Sequence, residues 1–146
     1  MPIHARTDIR QLVSSALTGV TAVTQVYEMR SAPYDTLPAL NVKTLDEEVL
    51  WEWSAMGSSI IPRDLRLSIE IISWTLDDEN DDLDDIIADV ENVMNNSAAI
   101  DDVSWDLNLE TVSFEYDRTA GYPYGLATMI YSLKYQTDMS DPQTIY

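Results

Sequence analysis

Carboxylates are the residues of this chain with the most chemistry to offer. Between Arg66 and Arg118 there is no lysine or arginine, and there are sixteen acids. Nine of them fall in the stretch from Asp77 to Glu91. Oxygen ligands at that density raise the question of calcium. A calcium loop of the EF-hand type needs ligands at alternate positions, glycine at the sixth and glutamate at the twelfth. Counted from Asp77 or Asp78, the sixth position is Asp82 or Leu83 and the twelfth is Ala88 or Asp89. The pattern fails, and the segment reads instead as the acidic start of a helix, where the helix dipole favours negative charge. His4 is the only histidine and there is no cysteine. That excludes thiolate-zinc centres, disulfides and cysteine nucleophiles. A Ser–His–Asp triad would lack the G-x-S-x-G elbow, and the four glycines form no phosphate cradle. The expectation is a protein that is not an enzyme and needs no metal and no cofactor.

A different set of residues suits contact rather than reaction. Trp51, Trp53, Met56, Ile60 and Ile61 form an apolar segment beside the breaker Gly57-Ser58-Ser59. Such a set packs either in a hairpin core or in a subunit interface, where aromatic and methionine anchors are enriched. Tyr122, Tyr124, Ile145 and Tyr146 are weaker members of the same kind.

The elements that must carry these residues follow from periodicity. Ile9, Leu12, Val13, Ala16 and Leu17 fall on one face of a helix, with Thr7 as N-cap and Gly19 after its end. Residues 20–30 are rich in β-branched types and read as a strand, and residues 37–44 as a second one, the two forming a hairpin. Asp46-Glu47-Glu48 reads as a charged turn, and residues 49–56 as a further possible strand. Leu65, Leu67, Ile69 and Ile71 alternate with mostly polar residues, which predicts a central strand running to about Leu76. Leu83, Ile86, Ile87, Val90, Val93 and Met94 predict a second helix, ended by Asn95-Asn96-Ser97. Two strands close the chain, at 103–116 with a phase slip near Glu110-Thr111, and at 126–137 with Ala127, Met129, Tyr131, Leu133 and Tyr135 on one face. The predicted class is α+β: a mostly antiparallel sheet, two amphipathic helices on one face, order α-β-β-(β)-β-α-β-β. Residues 1–138 form a single domain and residues 139–146 an extended C-terminal tail.

The chain has 146 residues, is 45% hydrophobic and carries a net charge of −18. Four tryptophans and eight tyrosines set it apart from disordered acidic tails. Eight bases against 26 acids cannot build a dominant phosphate-binding surface. The first residues lack the apolar core of a signal peptide and no run is long enough for a membrane span, so a soluble intracellular product with no membrane partner is expected.

The order of elements resembles the tail terminator family (minor tail protein U-like) of long-tailed bacteriophages. The resemblance is carried by the opening helix with Arg6 and Arg10 flanking Ile9, the strands at 23–30 and 37–42, and the acidic Asp46-Glu47-Glu48. It continues through the strand Arg63-Asp64-Leu65-Arg66-Leu67-Ser68-Ile69-Glu70-Ile71, the helix around Leu83-Asp84-Asp85-Ile86, and the closing Leu133-Lys134-Tyr135-Gln136-Thr137. It covers roughly residues 3–138, with a longer segment at Trp51–Ile61 than the family pattern leads one to expect. The resemblance implies a structural virion protein, made in the host cytoplasm and placed at the head-proximal end of the tail. Its subunits would form a ring, most simply a homohexamer, that caps the tail tube protein, stops polymerisation and meets the head–tail connector, while DNA passes through the lumen without specific binding. On that reading Asp102, Asp106 and Glu110, alternating with apolar residues, are the candidate lumen acids. Trp51, Trp53, Met56, Ile60, Ile61 and Tyr146 are the candidate subunit interface. The alternatives are another tail tube or head–tail neck protein, and, from a different class, an acidic module that mimics nucleic acid.

Overall fold

The computed structural model describes residues 4–23, 25–29, 37–53, 59–74, 80–117 and 124–145. Its elements are α1 (Ala5–Leu17), β1 (Gln25–Glu28), β2 (Ala39–Val49), β3 (Ile60–Trp74), α2 (Asn80–Asn96), α3 (Ala98–Val103), β4 (Asp106–Asp117) and β5 (Tyr124–Asp138). The five strands form one sheet in the order β1-β2-β3-β5-β4. Every pairing is antiparallel except β1 with β2. The class is therefore α+β, with a mostly antiparallel sheet, as the periodicity predicted.

The helices share one face of the sheet. α1 buries Ala5, Ile9, Val13 and Leu17, one residue per turn, and α2 buries Leu83, Ile86, Ile87, Val90 and Met94. They meet Leu40 and Val42 of β2, alternate residues Leu65 to Ile71 of β3, and Ala127 to Tyr135 of β5 in one apolar cluster. Period-two residues on strands and period-3.6 residues on helices supply facing apolar surfaces, and burying them is the main driving force for this layer. β3 lies at the centre of the sheet, which accounts for its long, clean alternation.

Several local expectations are corrected. α1 is capped by His4, whose side chain accepts from the Arg6 N–H, and not by Thr7. The strand expected at 20–30 is reduced to four residues, and Val20 is buried in the core ahead of it. β1 and β2 are parallel, not a hairpin. Ten residues separate the two strands, more than an ordinary hairpin loop of about 2–5 residues. Asp46-Glu47-Glu48 is no turn but the continuation of β2 across a bulge between Thr44 and Glu47. Of the strand expected at 49–56, Val49 belongs to β2 and Trp51–Trp53 form a 3-10 turn, while residues 54–56 lie outside the described residues. Ser97 ends α2 and at once caps α3, a helix the periodicity did not predict, by accepting from the Ile100 N–H. Asp102 and Val103 therefore belong to a helix, and β4 begins only at Asp106. The phase slip expected near Glu110-Thr111 is present as a bulge between Leu109 and Thr111. Residues 139–145 turn back on the domain. The Met139 N–H donates to the Ser59 carbonyl, the Ala5 N–H donates to the Pro142 carbonyl, and Ile145 bridges to Thr137 and packs on the core.

Candidate functional site

The most constrained polar cluster gathers around Glu47, which the β2 bulge turns inward. Its side chain is 8% exposed and one oxygen takes both Arg6 Nη1 and Arg63 Nη1 at 2.9 Å. The other accepts a short hydrogen bond from the Tyr135 hydroxyl. Arg63 Nε also donates to Thr137 Oγ1 at 2.9 Å. One carboxylate thus ties α1, β2, β3 and β5 together at the end of the sheet where both chain termini approach. Burial, then the hydrogen bond to Glu47, pushes the Tyr135 phenol far above its ordinary range. His4 sits beside the cluster. Desolvation first, then the Arg6 charge, lowers its pKa from 6.5, against the opposing pull of Glu47. A carboxylate committed to two guanidiniums and a phenol is a cross-link between elements. A depression of about 440 Å³ opens beside it, lined by residues that include Arg6, Asp46, Glu47 and Arg63. The periodicity gave no hint of this cluster. The one signal available was the run of three acids, Asp46-Glu47-Glu48, close behind the alternating Leu40 and Val42.

The sheet face opposite the helices is polar and cross-paired. Lys43 Nζ lies 2.6 Å from Glu70, Arg66 reaches Asp46 at 3.3 Å and Glu110 at 3.4 Å, and Lys134 reaches Asp106 at 3.2 Å. The Ser132 hydroxyl donates to Asp64 at 2.5 Å. Asp106 and Glu110 therefore share one face, as the alternation predicted, but that face is not bare acid. Asp102 is not among them and is exposed on α3. Bases distant in sequence fold onto Asp106 and Glu110 of β4, so an uncompensated stretch in one dimension becomes a partly compensated face in three.

The helical face keeps its charge. Asp84, Asp85 and Asp89 on α2 and Asp101 and Asp102 on α3 are exposed, and among the described residues none is in an ion pair. Of the candidate interface residues, Trp51 is 57% exposed on the 3-10 turn, and Trp53 ends that turn. Ile60 and Ile61 open β3, half-buried, and pair with Asp138 and Thr137. Met56 and Tyr146 lie outside the described residues. Among the described residues no group of His, Asp and Glu could hold a metal ion, and no helix is long and apolar enough to cross a membrane.

No known protein-family model matches this chain, and no curated protein is similar to it.

Proposed function

We propose that the chain is a tail terminator of a long-tailed bacteriophage, a ring-forming structural protein of the virion. The observation that carries the reading is the order of elements on which the resemblance rests, helix–strands–helix–strands, with the helices on one face of a mostly antiparallel sheet. Two further features support it. Trp51, exposed at the β2–β3 end with Ile60 and Ile61 nearby, is the type of anchor that subunit interfaces use. A net charge of −18 per chain keeps duplex DNA from adhering to a ring through which it must slide. Asp106 and Glu110 on the polar sheet face line the passage in this reading, and Asp102, exposed on α3, does not share that face.

The test is assembly. Mass photometry and electron microscopy of the purified chain are expected to show closed rings, six subunits in the simplest case, and those rings should bind the ends of tail tubes and arrest their growth. Indefinite filaments would identify a tube subunit, and a monomer that captures a basic protein would identify an acidic mimic. Trp51→Ser should shift the rings toward monomers while leaving the fold intact.

A further inference from the structure

We propose that the outer edge of β4 between Thr111 and Tyr116 is a docking strand for a partner protein that brings an extended segment alternating apolar and basic residues. β4 ends the sheet order, and among the described residues no strand pairs with its outer side. An edge strand presents a row of backbone N–H and C=O groups to any chain that can pair with it. The opposite edge, β1, has four residues, whereas β4 has twelve. The Leu109–Thr111 bulge divides β4 and leaves a straight run from Thr111 onward. In that run Val112, Phe114 and Tyr116 point to the helix side and Ser113 and Glu115 to the other.

The apolar side of this run is under-covered. Phe114 and Tyr116 are each 45% exposed, and Trp105 just ahead of the strand is 43% exposed. Three of the seven large exposed hydrophobic residues described thus lie within Trp105–Tyr116. Phe114 stands opposite Ala127 and Tyr116 opposite Gly125, so small neighbours leave the rings open on their outer flank.

Charge decides the occupant. All six described bases, Arg6, Arg10, Lys43, Arg63, Arg66 and Lys134, are in ion pairs with acids of their own chain. A second copy offers no uncommitted cation among its described residues and carries the same net charge of −18, so β4 laid on β4 would bring two acidic edges together. Acids on an open edge exclude self-pairing and at the same time favour a basic strand, which is how one device serves both rejection and selection. The inference does not depend on the tail reading.

The experiment titrates the isotope-labelled full chain with a short peptide alternating lysine and valine, and with a matched peptide alternating glutamate and valine, following backbone amide resonances. The expected result is perturbation confined to residues 111–116 by the lysine peptide and none by the glutamate peptide. Glu115→Lys, at an exposed position, should weaken the lysine peptide by about tenfold or more through reversal of a contact charge, and Phe114→Ser should weaken it as well. An equal response to both peptides would overturn the proposal, as would perturbation centred on Asp84 and Asp85, or binding indifferent to Glu115→Lys. Self-association of the unmodified chain that Phe114→Ser abolishes would make the occupant a second copy and overturn it too.

Discussion

Glu47 is the residue on which the termini, the bulge and two long strands converge. Its carboxylate is almost sealed, and Arg63, at 11% exposure, would keep only its bond to Thr137 and little contact with water if that carboxylate were removed. Breaking a buried ion pair from one side is costly because the remaining charge stays buried, typically about 3–5 kcal/mol. Glu47→Ala is expected to lower the urea unfolding free energy by about 3 kcal/mol, toward the low end because Arg6 is 44% exposed and can re-solvate. Glu47→Gln keeps an acceptor for Tyr135 and should lose less. His4 gives the cluster a pH dependence of known sign. Its folded pKa lies below the ordinary 6.5, so in that window the unfolded chain binds more protons. The stability contributed by neutral His4 is present above pH 6.5, is lost as pH falls from there, and levels off below the folded value. The geometry agrees, since Nδ1 accepts from the Arg6 N–H at 3.1 Å and cannot do so once protonated. His4→Asn retains a capping acceptor without a titrating group. The difference in stability between wild type and His4→Asn, measured by urea denaturation across that range, should narrow as pH rises.

Helices and long strands were legible because each carries its own period: α1, α2, β3 and β5 bury the residues their spacing nominated. Misreadings fell where a distant partner overrules local chemistry. Asp46-Glu47-Glu48 has the composition of a turn, yet its backbone stays in the sheet because Arg6 and Arg63, 41 and 16 residues away, take the charge of Glu47. No local window contains that information. The parallel pairing of β1 was hidden for a different reason, since its four residues carry too little pattern to set direction, and strands read at 20–30 and 37–44 leave only six residues between them, compatible with a hairpin. α3 was missed because Asn95-Asn96-Ser97 reads as a stop. Ser97 is equally a start, and two alanines that follow are strong helix formers. Of the candidate site, the shared face of Asp106 and Glu110 could be read from alternation, whereas their neutralisation by Lys134 and Arg66 could not. The cap can be tested directly: Ser97→Ala should cost about 1 kcal/mol, the usual value for losing an N-cap acceptor, and Ser97→Asp should restore it. No loss on Ser97→Ala would mean that burial of Ile100 alone holds α3.

At the scale of the whole molecule, folding sorts charge into two unlike faces. Bases are confined to α1 and the sheet among the described residues, and α2 and α3 contain none. The polar sheet face carries Lys43, Arg66 and Lys134 among Asp46, Glu48, Asp64, Glu70, Asp106, Glu110 and Glu115, so seven acids meet three bases and the face is negative but partly compensated. A surface over which DNA slides benefits from that composition. Strong positive charge would bind phosphate through counter-ion release, and strong negative charge would oppose entry. If this face lines the ring, replacing both Asp106 and Glu110 with lysine turns two acids per subunit into bases and concentrates the new charge in one channel. Duplex DNA affinity should then appear at low salt and fall steeply with added salt, with a log–log slope set by the number of phosphates engaged. The matched change on α2, Asp84→Lys with Asp85→Lys, adds the same charge to the helical face and should give markedly weaker binding, because outward-facing lysines on separate subunits cannot surround one duplex. Filter binding across a salt series measures both variants, with circular dichroism confirming that each is folded. Equal affinity from the two would remove the polar sheet face from the passage even if the ring itself forms, and a map of the ring with Asp106 on its outer wall would do the same.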